Sequence, residues 1–142
     1  MTEHRQPVIL DIDGPRDPLY VLEVAEAFAE ASRVLNHLTL SHEALEYPSE
    51  VDTLIRYLAS AAASHPQLLG QIGGWLEQEQ AAGRIRVAGS ENYPATAVAA
   101  ARVRLDKAAA IAEELQEALD YAASVTCNLA AAEVREDGSD DH

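Results

Sequence analysis

The sequence predicts an all-α protein: a four-helix bundle-like domain with one long C-terminal helix and an extended N-terminal arm. Apolar residues recur at helical spacing throughout the chain after residue 17. Neither glycine nor proline interrupts residues 95–134, which favours one long helix. We expect residues 1–16 to form the arm, residues 17–134 the helical domain and residues 135–142 a disordered acidic tail.

The first predicted helix begins after Asp17, which is a suitable N-cap, and places Pro18 at its first position. Its apolar stripe consists of Val21, Val24, Phe28, Ala31, Leu35 and Leu38. The periodicity ends near residues 38–40, where a polar joint follows. We therefore predict an amphipathic helix of about 33 Å.

The second predicted helix follows Pro48, and Ser49 with Asp52 resembles a capping box at its start. Its apolar residues are Val51, Leu54, Ile55 and Leu58. We expect residues 64–66, Ser-His-Pro, to stop this helix and to start a third one. The apolar residues of the third helix are Leu68, Leu69, Ile72, Trp75 and Leu76, and Gly83 is its natural end.

A glycine pair in the third predicted helix precedes the only tryptophan of the chain. Gly73 and Gly74 each cost about 1 kcal/mol relative to alanine in a helix interior. We expect them to let another helix backbone approach closely, and we expect Trp75 to be buried on the apolar stripe. The alternative is an exposed patch of Gly70, Gly73, Gly74 and Trp75 that binds a partner.

The fourth predicted helix runs from Pro94 to about Val134 and would be roughly 55–60 Å long. Before it, Ile85 and Val87 alternate with arginines, so one short strand is possible there. The shorter helices cannot cover both ends of the fourth helix unless two of them stack end to end. We favour a homodimer in which its C-terminal half packs on a second copy, in a coiled-coil-like seam of Leu115, Leu119, Ala122, Val125 and Leu129.

Composition limits the functions that are open to this chain. Its formal net charge is −14 with only 10 Lys and Arg, which argues against direct binding of nucleic acid phosphates. The single cysteine, Cys127, cannot form an internal disulfide bond. We find neither a secretion signal nor an apolar run of about 20 residues, so we expect a cytoplasmic protein without membrane contact. The high alanine content and the preference for Arg over Lys suggest a bacterial source.

Residues 8–14 read VILDIDG, an apolar run that ends in Asp-x-Asp-Gly. The run resembles the first motif of the haloacid-dehalogenase-like phosphatases. The resemblance implies that Asp11 is a nucleophile at the end of a strand and that Asp13 is a general acid/base. It also implies a parallel sheet, yet no series of apolar strands follows residue 17. We therefore favour an arm that packs on the helices and turns at residues 13–15.

His37, His42, Glu43 and Glu46 carry ligand types that suit Zn²⁺ or a similar ion. Their spacing straddles the end of the first helix, so the two imidazole rings need not converge. A histidine near the last carbonyl groups also suits the helix dipole. We therefore favour a solvated helix terminus, and we predict no metal or cofactor.

The second and third predicted helices, followed by residues 84–93, have the order of a helix-turn-helix with a wing. Five of the ten basic residues fall between Arg84 and Lys107. The candidate recognition helix, residues 66–83, contains no Lys or Arg and carries Glu77 and Glu79, which DNA phosphates would repel. We favour an exposed charged face with i,i+4 pairing over a wing-like basic patch.

These observations lead to a non-catalytic, acidic, helical interaction protein, an adaptor or regulator that acts through protein–protein contacts. Trp75 and the predicted dimer seam are its candidate interaction residues, and no catalytic residue is predicted. The alternative is a DNA mimic or another inhibitor of a DNA-acting protein, which would need acidic residues on one face. A phosphate-ester hydrolase that uses Asp11 and Asp13 ranks third.

Overall fold

The computed structural model describes residues 7–89 and 93–133, and within these ranges the only regular structure is helical. Its elements are α1 (Pro18–Leu38), a 3-10 helix (His42–Ala44), α2 (Pro48–Ala81) and α3 (Pro94–Thr126). The all-α prediction is therefore confirmed, but the described residues form three α-helices where the sequence predicted four. The chain divides into two compact units, residues 1–46 and 47–142, and each unit is described by itself.

In the first unit, α1 has the boundaries that its capping residues predict. The Asp17 carboxylate accepts a hydrogen bond of 2.9 Å from the Tyr20 N–H, and Pro18 occupies the first helical position. At the other end, the Thr39 hydroxyl donates to the Leu35 carbonyl oxygen at 3.0 Å. No residue of α1 is buried, so its apolar stripe is exposed.

The N-terminal arm is tied to α1 by one side chain. The Tyr20 hydroxyl donates to the Ile9 carbonyl oxygen at 2.8 Å and accepts from the Asp11 N–H at 3.0 Å. A tight turn follows, in which the Gly14 N–H donates to the Asp11 carbonyl oxygen at 3.0 Å. This turn lies close to the predicted one, but the apolar side chains of the arm are not buried: Ile12 is 87% exposed.

In the second unit, Pro66 lies inside α2, so the predicted boundary at residues 64–66 is wrong and two predicted helices are one. A proline in a helix interior costs about 3 kcal/mol, because it removes a hydrogen bond and its ring crowds the preceding turn. Contacts on both sides of Pro66 offset that cost, since Ala59, Ala62 and Gly73 are all buried. Packing against α3 thus keeps α2 continuous, although Pro66 by itself favours a helix boundary.

The start of α2 is capped differently from the prediction. The Glu50 carboxylate accepts a hydrogen bond of 3.1 Å from the Tyr47 N–H, one residue before Pro48. Ser49 therefore does not cap the helix together with Asp52. The Asp52 carboxylate instead accepts from the Arg56 guanidinium at 2.9 Å, one turn further along.

The C-terminal end of α2 agrees with the sequence prediction, whereas that of α3 does not. Gly83 has a φ of +72°, and the Arg84 N–H donates to the Glu79 carbonyl oxygen at 3.0 Å, which closes α2 where predicted. Residues 84–87 form no strand. α3 ends at Thr126 rather than near Val134, so its 33 residues are about 50 Å long.

The two long helices form an antiparallel hairpin. The Thr126 hydroxyl, at the end of α3, donates to the Asp52 carboxylate near the start of α2 at 2.7 Å. Near the other end of the hairpin, the Arg102 guanidinium lies 3.5 Å from the Glu77 carboxylate. Between these contacts the buried apolar residues are small: Ala59, Ala62, Val98, Ala112 and Ala123. Because the buried side chains between the two helices are small, the helices lie close together.

The Asp52 contacts predict a pH dependence of stability. The hydrogen bond from Arg56, and next that from Thr126, lower the pKa of Asp52 below its ordinary value of 3.8. A carboxylate whose pKa is lowered in the folded state stabilises that state above its unfolded pKa, and this contribution is lost as pH falls through the folded pKa. We expect Asp52→Asn to lower the melting temperature at pH 7, and the difference from the parent to shrink as pH falls below 3.8.

Thermal melts followed by circular dichroism between pH 7 and pH 3 measure this effect. Glu113→Gln, at an exposed position of α3, is the matched control and should change the melting temperature little at any pH. A difference between Asp52→Asn and the parent that stays constant with pH would contradict the assignment.

Candidate interaction surface

Apolar residues of α2 form a row beside its contact with α3. The spacing of three, four or seven residues places them on one side of the helix. The row consists of Leu54, Leu58, Ala61, Leu68, Ile72 and Trp75. Four of these residues are exposed, and Trp75 is the most exposed of them at 59%. The row extends over about 32 Å of the helix.

A second row lies on α3 with the same spacing. It consists of Ile111, Leu115, Ala118, Ala122 and Val125. Ile111, Leu115 and Val125 are each about half exposed, at 54%, 52% and 51%. Like its counterpart on α2, this row lies beside the buried residues and not among them.

The two rows lie on the same side of the hairpin. When each helix is viewed from its own N-terminus, its apolar row lies roughly a third of a turn away from its buried residues. The direction of this rotation is the same in α2 and α3. Two antiparallel helices bring such equal rotations to one common side, just as e positions meet e positions in an antiparallel coiled coil. We call these two rows together the apolar face.

The opposite side of the hairpin carries polar residues, and we call it the polar face. Its members on α2 and α3 are Arg56, Gln67, Gln71, Glu77, Arg102, Asp106, Glu113, Gln116 and Asp120. Arg102 connects the two helices there, because its guanidinium donates to Asp106 at 2.9 Å and to Glu77 at 3.5 Å. The hairpin is thus amphipathic: the exposed leucine and isoleucine side chains of α2 and α3 lie on the apolar face, although Tyr57, Val103 and Tyr121 are exposed elsewhere on the two helices.

The glycine pair has two different environments. Gly73 is buried, and a Cβ atom there would lie 2.8 Å from the Arg102 Cδ atom on α3. A Cβ atom at Gly74 would have nothing within 4 Å. The glycines therefore do not accommodate another helix backbone as predicted: at Gly73 the nearest atoms belong to the Arg102 side chain of α3, and at Gly74 there are none within 4 Å.

Trp75 is exposed, so its predicted place in the core is wrong. It belongs to the apolar face instead. The four-residue patch of the alternative interpretation does not form either, because Gly70, Gly73 and Gly74 lie on other sides of α2. Sequence reasoning placed Trp75 in the core, since periodicity alone does not separate two adjacent apolar rows of one helix.

The residues of the predicted dimer seam have three different positions. Leu115, Ala122 and Val125 belong to the apolar face, where Leu115 and Val125 are exposed and Ala122 is half-buried, while Leu119 is half-buried towards α2. Leu129 is exposed and lies beyond the end of α3. The seam is therefore continuous with the apolar face over residues 115–125 but not as far as Leu129.

The structure places the phosphatase-like motif on a turn and not at the end of a strand. The Asp11 carboxylate accepts a hydrogen bond of 2.9 Å from the Asp13 N–H, as in an Asx-turn. An open groove of about 680 Å³ beside this turn is lined by Asp11, Glu23, Glu26 and Glu30, and among the described residues that line it there is no Lys, Arg or His. Such a groove repels a phosphate group, so its chemistry does not favour the hydrolase hypothesis.

Tyr20 is the residue on which the conformation of the arm depends. Tyr20→Phe removes the hydroxyl that bonds to Ile9 and Asp11, and should release residues 9–14 while α1 stays folded. We expect faster hydrogen exchange at the Asp11 amide and unchanged helical circular dichroism. Tyr57→Phe, at an exposed position of α2, is the control. Unchanged exchange at Asp11 would show that this anchor does not hold the arm.

The remaining sequence hypotheses gain no support from the described residues. His37 lies in the last turn of α1, whereas His42 and Glu43 lie in the separate 3-10 helix. Residues 7–89 and 93–133 contain no group of three or more His, Cys, Asp or Glu side chains that could hold a metal ion. The helix-turn-helix order is lost, because its two helices are the single helix α2.

Two of the five basic residues that were considered for a wing, Arg84 and Arg102, make ion pairs. Arg84 binds Glu79 through two hydrogen bonds of 2.6 and 2.8 Å. Arg102 binds Asp106 at the expected i,i+4 spacing. In the part of the chain that the structure describes, no helix is long and apolar enough to span a bilayer.

Comparisons with protein-family models, with curated proteins and with solved structures find no match to this chain.

Proposed function

We propose that this protein is a non-catalytic helical adaptor or regulator that acts through protein–protein contacts made by the apolar face. One observation supports this proposal most strongly. The fully buried residues of the hairpin are small (alanines, Gly73 and Val98), while residues such as Leu58, Ile72 and Leu115 stay exposed on one side. Burying one such side chain contributes about 1.5–3 kcal/mol, so a partner that covers the face gains substantial binding free energy.

The arrangement of polar residues supports the same proposal. Carboxylates and amides occupy the polar face, which keeps the protein dissolved while the apolar face is covered. Exposed apolar patches larger than a few hundred Å² are rare in monomers and typically mark interaction sites. An amphipathic helical surface of this kind is a frequent means of protein recognition.

Site-specific photo-crosslinking in the native host tests the proposal. A photoreactive amino acid at Ile72 or Leu115 should give defined adducts, which mass spectrometry then identifies. The same amino acid at Gln71 or Gln116, on the polar face, is the matched control and should give few. Equal adduct yields from both faces, or none from Ile72 and Leu115, would contradict the proposal.

A DNA mimic or an inhibitor of a DNA-acting protein is the alternative function, and one observation favours it. The C-terminal half of α3 carries Glu113, Glu117 and Asp120 on the side away from the apolar face. Carboxylates along one side of a helix can substitute for a row of phosphates.

Charge neutralisation separates the two functions. In the adaptor, replacing Glu113, Glu117 and Asp120 by their amides should leave the crosslinks intact, and Leu115→Glu should abolish them. The mimic predicts the reverse result, together with loss of binding at high salt.

A further inference from the structure

We propose that the occupant of the apolar face is a second copy of this chain, and that the two hairpins pack face to face as an antiparallel four-helix bundle centred on Ile111. In this arrangement α3 lies against α3 of the second copy, and α2 against its α2. The inference rests on the proposed function, because it assigns a partner to the same face. It also gives that face an orientation that can be tested.

The dimensions of the face suit such a dimer. Two helices about 50 Å long and about 8–10 Å apart present a surface on the order of 1,000 Å². A stable interface needs about 800 Å² from each partner. A second hairpin has both the length and the width of the face.

Charge distribution along α3 selects the antiparallel orientation. The cations Arg104 and Lys107 lie in its N-terminal half, whereas Glu114 and Glu117 lie in its C-terminal half. Antiparallel pairing about Ile111 brings Lys107 of one copy next to Glu114 of the other, because these residues lie four before and three after the centre. By symmetry this pairing occurs twice.

The same register brings apolar parts of α3 together. Val125 falls opposite Ala97 of the second copy, Ile111 meets its own counterpart, and Leu115 falls opposite Lys107, whose alkyl stem can pack on it while its ammonium group reaches Glu114.

On α2 the same register also brings apolar residues of the two copies together. Asp52 and Thr126 lie at the same height along the hairpin axis, because they are hydrogen-bonded to each other. Ile111 lies fifteen residues before Thr126 in α3, and the residue of α2 at its height is therefore about residue 67. About that centre Ile72 falls opposite Ala61, and Trp75 falls opposite Leu58.

The other face-to-face arrangement lacks the charge pairing. In this second arrangement the two copies are related by a two-fold axis parallel to the helices. α3 of one copy then faces α2 of the other. Glu77 is level with Arg102, so Lys107 would be level with about Ile72, where the α2 row offers no carboxylate. The antiparallel arrangement is therefore the one that uses both the apolar residues and the charges.

Sedimentation equilibrium of the full chain tests the stoichiometry and the orientation. We expect a mass of twice 15.3 kDa at micromolar concentration. Lys107→Glu and Glu114→Lys should each weaken dimerisation about 5- to 30-fold, and the double variant should restore it, since the swapped charges attract again. Glu113→Lys makes the same charge change on the polar face and should have little effect.

Disulfide crosslinking gives an independent test of the orientation. With Cys127→Ser as background, Ile111→Cys should form an intermolecular disulfide on mild oxidation, because the two copies meet at this residue. Ile111→Glu should give a monomer that keeps its helical circular dichroism, since Ile111 is half exposed in the single chain.

A monomeric parent would overturn the inference. The proposed function would survive that result if Ile72 and Leu115 still crosslinked to a different protein. A dimer that forms no disulfide through Ile111→Cys, or that is indifferent to the charge swaps, would overturn the antiparallel orientation. Absence of any crosslinks from the apolar face would contradict the proposed function itself.

Discussion

Ala62→Leu should destabilise the hairpin by about 1–3 kcal/mol, because α2 and α3 have no room for a larger side chain at this position. Ala62 is only 3% exposed. Leucine would have to push the helices apart or adopt a strained rotamer. For a unit of this size, each 1 kcal/mol lowers the melting temperature by about 4–8 °C.

Thermal melts at a fixed protein concentration measure this effect, because dimerisation would otherwise change the melting temperature. Ala63→Leu is the matched control, because Ala63 is exposed. The free energy of unfolding of this variant should differ from that of the parent by less than about 0.5 kcal/mol. Equal melting of the two variants would show that the helices do not pack closely at Ala62.

Gly73→Leu should have an effect of similar size for a different reason. A Cβ atom at Gly73 would lie 2.8 Å from Arg102 Cδ and 2.9 Å from Arg102 Nη1. A leucine there must therefore displace the Arg102 side chain, which removes the link from Arg102 to Glu77. We expect a loss of about 1–3 kcal/mol, even though leucine is the better helix former.

Gly74→Leu is the control, because no atom lies within 4 Å of a Cβ at that position. It should stabilise the protein by about 0.5–1 kcal/mol through helix propensity alone. Opposite shifts of the melting temperature in the two variants would demonstrate the asymmetry of the glycine pair. A stabilising Gly73→Leu would mean that the side chain of Arg102 moves aside without cost.

The sequence by itself determined the class of the fold and most of the helix ends. Asp17, Pro18, Pro48, Gly83 and Pro94 act through their own backbone geometry or through hydrogen bonds within one turn. Such signals need no distant partner, and the helices begin or end at these residues in the structure. The end of α3 is the exception, since no glycine or proline marks it and the apolar pattern runs on beyond Thr126.

Only the tertiary structure decided how the helices are combined and which side chains they bury. Pro66 carries a strong local signal for a boundary, yet contacts with α3 on both sides of it keep α2 continuous. Periodicity placed Leu58, Ile72 and Trp75 on apolar stripes, but did not show that the inner rows meet through alanines while these residues remain outside. The reason is physical: a helical repeat fixes which residues share a side of a helix, whereas burial depends on what packs against that side.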